Sequence, residues 1–398
     1  MTIRLNSFLR DLLFVLIAIY FAQGAFYATG SIVFKLVLFL ILSISSYCLI
    51  KSLSLKTTKG IFYHALGALL LINTLGFLIA GSYGGIHFSQ FRNILTALLP
   101  FFPFYYLAYK GYLTEKHLLR FFALLIPIAV ATFYSSRSSI LMEQLSDSEN
   151  VVTNSAYFFV ALIPYVFLLG KRKVLSALSM FLLLFFIIQS AKRGALIVGL
   201  AGSLVFAYYQ LSIVGPKKKV RSYIAALVVI SALFSYLYNF YLSNEFLINR
   251  MQNISDGGSG RDVIYSTLLN SWYESNSLIN YLFGFGFVSV IKYSGGLLAH
   301  NDWLELLISF GLLGVFVYLL LFYAATRFVL NPKVEKESRL IMLAIILMWF
   351  LQTLFSMYYT ESGTALTTVV LGYLIGSYQR KKASASNVKI EAQSTLFQ

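Results

Sequence analysis

The sequence predicts an all-α polytopic membrane protein of about twelve transmembrane helices. Three observations predict it. The chain is 59% hydrophobic and only 12% charged, with a mean hydropathy of +0.77, whereas soluble domains carry roughly 25% charged residues. The apolar runs reach the roughly 20 residues that span a bilayer, and they are continuous rather than alternating, which suits helices and not a barrel. The cations are distributed unevenly between the loops.

The spanning segments are expected near 9–28, 31–50, 60–82, 92–109, 117–135, 151–169, 173–190, 194–213, 222–242, 303–326, 340–358 and 362–378. With the N-terminus in the cytoplasm, 23 of the 31 Lys and Arg fall on the cytoplasmic side. The other 8 are Lys35, Arg92, Arg137, Lys192, Arg193, Arg250, Arg261 and Lys292. That bias follows the positive-inside rule, so the net charge of +16 orients the chain and is no nucleic-acid signal. Both termini are then cytoplasmic. Residues 1–378 read as one helical bundle. Residues 379–398, rich in Ser and Ala, read as a disordered cytoplasmic tail.

The first segment follows Arg4 and Arg10 and has a weak cleavage site at Ala22-Gln23-Gly24-Ala25; its length favours a span over a signal peptide. No carboxylate stands between segments one and two before Lys35. Cys48, the one cysteine, lies inside an apolar segment and offers neither a disulfide nor a thiolate metal site. The outer stretch 136–150 holds Arg137, Glu143, Asp147 and Glu149, as a lid or as a solvated turn. The short basic connections at Lys51–Lys59, Lys171–Lys173 and Lys217–Lys219 read as anchors to anionic headgroups. No repeat at a fixed period relates the two halves.

One larger outer loop, 243–302, falls between segments nine and ten, and chemistry is expected there. Three constellations face that side. Lys192-Arg193-Gly194 forms a tight turn between two apolar segments. Cations in so short an outer turn run against the positive-inside rule, so Arg193 is a candidate anion ligand, with Lys192 snorkelling to the interface. Gly260-Arg261-Asp262 opens a helix whose Ile264, Leu268 and Trp272 recur every four residues, so it lies with one face on the bundle or the bilayer surface. Arg261 in its first turn is out of place unless an anion joins it; the alternative is a salt bridge to Asp262 or Asp256. Arg250 opens the loop as a weaker anion candidate. His300-Asn301-Asp302-x-x-Glu305 closes it. Asp302 with Glu305 reads as an N-cap and capping-box pair, while His300 is a candidate general base. Asp302 and Glu305 remain rivals for that role. No metal-ligand spacing and no phosphate-cradling Gly-rich loop occur.

At these residues the chain resembles the O-antigen ligase and O-antigen polymerase family of bacterial surface-polysaccharide assembly. The likeness covers roughly 150–330. It rests on Ala191-Lys192-Arg193-Gly194-Ala195, Gly260 to Tyr265, Leu282-Phe283-Gly284-Phe285-Gly286, and His300-Asn301 leading to Leu304-Glu305-Leu306 and Gly311-Leu312-Leu313-Gly314. The resemblance implies an inverting, metal-independent glycosyltransferase without a cofactor, in the bacterial inner membrane with its active face outward. The implied donor is a glycan on undecaprenyl diphosphate. Arg193 and Arg261 would hold the diphosphate, and His300 would deprotonate the acceptor hydroxyl, with Lys192, Arg250, Asp302 and Glu305 as weaker substrate contacts. The acceptor would be another lipid-linked repeat for a polymerase, or lipid A–core for a ligase. Chain-length regulators and flippases are the expected protein partners. A lipid-linked-saccharide flippase is the alternative of another class. The modest loop tilts the reading to polymerase.

Overall fold

The computed structural model describes residues 2–28, 30–55, 59–144, 152–170, 172–213, 235, 238–239, 242 and 257–396. The described residues are helical apart from turns and one isolated bridge between Gln23 and Tyr27. In order, α1 is Thr2–Phe21, α2 Ile32–Leu53, α3 Ile61–Ile79, α4 Gly85–Leu98, α5 Phe101–Tyr109, α6 Glu115–Gln144, α7 Ala156–Phe167, α8 Lys173–Gln189 and α9 Arg193–Ser212. Then α10 is Gly257–Tyr273, α11 Leu278–Phe283, α12 Val290–Tyr293, α13 Asp302–Leu330, α14 Lys336–Phe355 and α15 Thr364–Leu396.

Six of these, α2, α3, α6, α9, α13 and α14, are long and apolar enough to cross a bilayer. The helices α7 and α8 are apolar but shorter. Phe39, Leu71, Ile79, Phe181, Leu204 and Leu319 are exposed on the outside of the bundle. Water penalises such a surface and lipid does not, so the architecture is that of a polytopic membrane protein. The expected segment 92–109 is divided at Pro100 into α4 and α5, because proline lacks the N–H that would continue the helix. The expected segment 222–242 lies almost wholly outside the described residues. Helix α6 continues through Arg137 to Gln144, where an outer turn was expected; Asp147 and Glu149 lie outside the described residues. Helix α15 runs on to Leu396, through the stretch expected to be disordered.

Close packing is set by glycine. A Cβ at Gly372 would stand 2.6 Å from the Phe101 carbonyl oxygen, and one at Gly376 2.4 Å from that of Tyr105. This four-residue spacing of small residues lets α15 lie backbone to backbone on α5, which is how helices associate where water supplies no driving force.

Helix α13 is broken at Gly311, whose φ of 61° and ψ of −154° are outside any helix. The break frees carbonyls of the preceding turn. Phe285 N–H donates to Ile308 O at 2.8 Å and Gly286 N–H to Ser309 O at 3.1 Å. Gly284 is needed for the approach, since its Cβ would stand 2.5 Å from Phe310 N. The two glycine motifs noted in the sequence are thus halves of one contact. Around it, Leu268, Val290, Ala299 and Ile308 form a small separate core, packed by Ile264, Trp272 and Leu304. That core fixes α10 beside the start of α13.

Candidate functional site

Residue by residue, the site is built from four chain turns at the end of the bundle that holds His300. The first is the turn between α8 and α9. Ala191 takes a left-handed φ of 52°, which turns the chain sharply so that Lys192 becomes the N-cap of α9 and Arg193 its first residue. Both are half-buried. A Cβ at Gly194 would stand 2.7 Å from the Tyr157 hydroxyl and 3.1 Å from Phe355 Cβ. Glycine therefore lets this turn press onto the first turn of α7 and the end of α14. Among the described residues Arg193 has no hydrogen bond or ion pair.

The second is α10. It already runs at Gly257, so Arg261 stands beyond its first turn, and the expected anion at a helix start does not explain it. Its guanidinium instead donates to Phe355 O at 2.7 Å. Phe355 is the last residue of α14, whose carbonyls lack intrahelical partners and whose dipole favours a cation. The backbone beside Arg193 and the guanidinium of Arg261 thus abut the same residue. The expected alternative for Arg261, a salt bridge to Asp262, is not present. Asp256 and Arg250 lie outside the described residues.

The third is the entry to α13. Asn301, not Asp302, is the N-cap: its Oδ1 accepts from Trp303 N at 3.0 Å and Leu304 N at 3.2 Å. His300 adopts a left-handed φ of 52°, an uncommon conformation for a non-glycine residue that Asn, Asp and His adopt most readily. The reversal brings Ala299 N–H back onto Glu305 Oε1 at 2.7 Å. The capping-box reading of Asp302 and Glu305 is therefore corrected: Glu305 serves the residue before His300, and Asp302 serves a distant loop. Asp302, fully buried, accepts from the Tyr318 hydroxyl at 2.5 Å and from the backbone N–H of Tyr358 at 3.0 Å and of Tyr359 at 3.3 Å. Trp349 Nε1 donates onward to the Tyr318 hydroxyl at 2.6 Å.

His300 itself is exposed on one side. The protein on its other side disfavours the charged imidazole, and the nearby Arg261 and Lys192 cations add to this, so its pKa lies below the ordinary histidine value. Neutral imidazole, the form that accepts a proton, is thereby favoured at neutral pH.

The fourth is the loop between α14 and α15, which sequence reasoning passed over. Asp302 holds its backbone at Tyr358 and Tyr359, Gln352 Nε2 donates to Met357 O at 3.1 Å, and Thr364 Oγ1 donates to Tyr358 O at 2.6 Å. The loop presents Glu361, half-buried and within reach of the Lys192 charge. Burial raises the Glu361 carboxyl above its ordinary pKa, and the Gly363 N–H, Lys192 and Ser362 draw it partly back. A signal existed in the sequence: Glu361 is the one acid in the short interval between segments eleven and twelve, on the side predicted to share His300. Tyr157 had none, being one of 28 tyrosines.

Lys192, Arg261 and His300 thus gather at one mouth, with Glu361 within reach of Lys192 and the Arg193 backbone beside Phe355, while Asp302 and Glu305 are buried. Two cations beside a neutral base, with Arg193 next in the chain to one of them, can attract a multiply charged anion. Among the described residues no three His, Cys, Asp or Glu side chains converge as metal ligands. No family model matches the chain, and no curated protein matches it.

Proposed function

We propose that the protein is a membrane glycosyltransferase that polymerises oligosaccharide repeats carried on undecaprenyl diphosphate. The observation that carries this reading is Arg193, a guanidinium without a protein partner among the described residues, in a turn whose next residue, Gly194, adjoins the Phe355 that Arg261 caps. In the proposed topology about twelve helices span the bacterial inner membrane. Both termini are cytoplasmic and the His300 mouth faces outward, where the resembled family works.

In the proposed reaction the acceptor hydroxyl attacks the anomeric carbon of the donor. The new glycosidic C–O bond forms as the bond to the diphosphate oxygen breaks, and configuration inverts in one step. Charge builds on the departing diphosphate. Arg193 and Arg261 hold it bidentately, and removing one such donor reduces the rate on the order of 10²–10³. The acceptor's proton passes to His300, whose lowered pKa keeps it in the accepting form. The reading needs no metal or cofactor.

The broken helix at Gly311 is the one feature that would suit a flippase, since transporters expose unwound backbone to their cargo. Here the freed carbonyls are taken by Phe285 and Gly286, so the break serves packing.

The test is a deletion strain complemented with wild-type protein, Arg193→Ala, Arg261→Ala or His300→Ala. Each variant is expected to reach the membrane and to leave surface lipid bearing single repeats. Polymer stranded on the carrier in the deletion strain points to the ligase instead. Wild-type glycan from any two variants overturns the site.

A further inference from the structure

A narrow cleft, mostly apolar with a few polar groups, lies between α7, α14, the Glu361 loop and the start of α15. Tyr157, Gln352, Tyr358, Glu361, Thr364 and Thr367 line it, over a floor of Val160, Ile345 and Met348. It encloses about 310 Å³ counting its open mouth, yet its constricted interior holds only about one water molecule.

Two hydroxyls here lack partners. Tyr157 and Tyr358 are each 5% exposed, and neither hydroxyl completes a hydrogen bond. Ser356 lies beside the first and Thr367 beside the second, outside hydrogen-bonding geometry. Buried polar atoms are almost always paired, so two orphans in one cleft mark a place where something else completes them. The Tyr157 hydroxyl also abuts Gly194, directly after Arg193. Glu361 adds a carboxylate that accepts two hydrogen bonds or more.

Resting on the glycosyltransferase reading, we infer that this cleft admits one hydroxyl of the sugar ring bonded to the diphosphate. The ring lies at the mouth beside Arg193 and Arg261, and one of its hydroxyls fills the water-sized interior. That hydroxyl donates to the Glu361 carboxylate and accepts from Tyr157 or Tyr358. A hydroxyl that completes the two orphaned groups gains affinity, while a group that cannot leaves them unpaired. The cleft is thus a specificity device for the first sugar, separate from the anion grip.

The experiment uses the full-length protein in lipid nanodiscs. Probes are bare undecaprenyl diphosphate and the same carrier bearing glucose, galactose, N-acetylglucosamine or N-acetylgalactosamine. Wild-type protein is expected to bind at least one glycosylated carrier tighter than the bare one. Glu361→Gln is expected to reduce that preference, read as the ratio of glycosylated-carrier to bare-carrier affinity, roughly tenfold, and Tyr157→Phe a few-fold. The inference is overturned if no glycosylated carrier is preferred, or if neither variant alters the preference. Failure of the anion grip reads separately: bare carrier would then bind equally to wild-type protein and to Arg193→Ala.

Discussion

Two polar regions lie within one helical turn of each other at the start of α13, and they behave oppositely. Beneath the surface, Asp302 spends both oxygens on the protein, where Tyr318, Tyr358 and Tyr359 donate to it, and Glu305 accepts from Ala299 at one oxygen. At the mouth, Arg193 has no partner among the described residues, and His300 stands in the field of two cations. The difference teaches how to separate scaffold from site in a membrane bundle. A buried carboxylate whose acceptors are all taken holds the fold. A half-buried cation without a protein partner is a candidate to hold a ligand, because charge at a membrane boundary otherwise goes uncompensated.

The comparison breaks most visibly at Asp302. Asp302→Ala leaves the Tyr318 O–H donor without its acceptor and two backbone N–H groups unpaired in the interior, each about 1–3 kcal/mol. Loss of folded protein from the membrane is expected, read by detergent-solubilised yield and melting temperature. Full yield with normal melting would move Asp302 out of the scaffold.

At Arg193 the expectation reverses. Arg193→Ala should lower glycan transfer on the order of 10²–10³ while melting stays at the wild-type temperature. Arg261→Ala sharpens the contrast, because that side chain also caps α14 through Phe355 O. It should lose comparable activity and also melt measurably lower, since it removes a cation from a helix C-terminus, typically 0.3–1 kcal/mol. Equal melting of the two variants would contradict the division.

The pH dependence is a smaller effect. His300 accepts a proton only when neutral, and its folded pKa is lowered. Transfer should therefore be complete above the ordinary histidine value of roughly 6.5 and fall only as pH drops through the lowered pKa. Lys192→Ala removes one of the cations responsible, so its acid limb should move to higher pH. An unmoved limb would show that Lys192 does not act on His300.

The helical, membrane-embedded character was legible because apolar runs of spanning length need no partner to be recognised, although six helices of that length are described where about twelve spans are expected. The exceptions were places where distant residues decide. Asp302-x-x-Glu305 has capping-box spacing, yet Asn301 caps the helix, because the left-handed turn at His300 sends both acids elsewhere. Their partners at Tyr318 and Tyr358 cannot be seen in local sequence. Gly284 and Gly311 were each visible as motifs, but not their contact. Among the candidate residues, Arg193, Arg261 and His300 stood out because cations and a histidine are scarce in the loops expected to face outward. Glu361 was overlooked because its interval is short, and Tyr157 because an aromatic residue in an apolar run looks like packing.

The account's central claim is that two guanidiniums meet on one diphosphate facing an imidazole. The most direct measurement is a cryo-electron microscopy structure of the protein in nanodiscs with undecaprenyl diphosphate. The account predicts phosphate oxygens within hydrogen-bond reach, roughly 2.7–3.2 Å, of both Arg193 and Arg261, with His300 across the mouth. A diphosphate bound elsewhere, with those two side chains in contact only with protein or water, would contradict it.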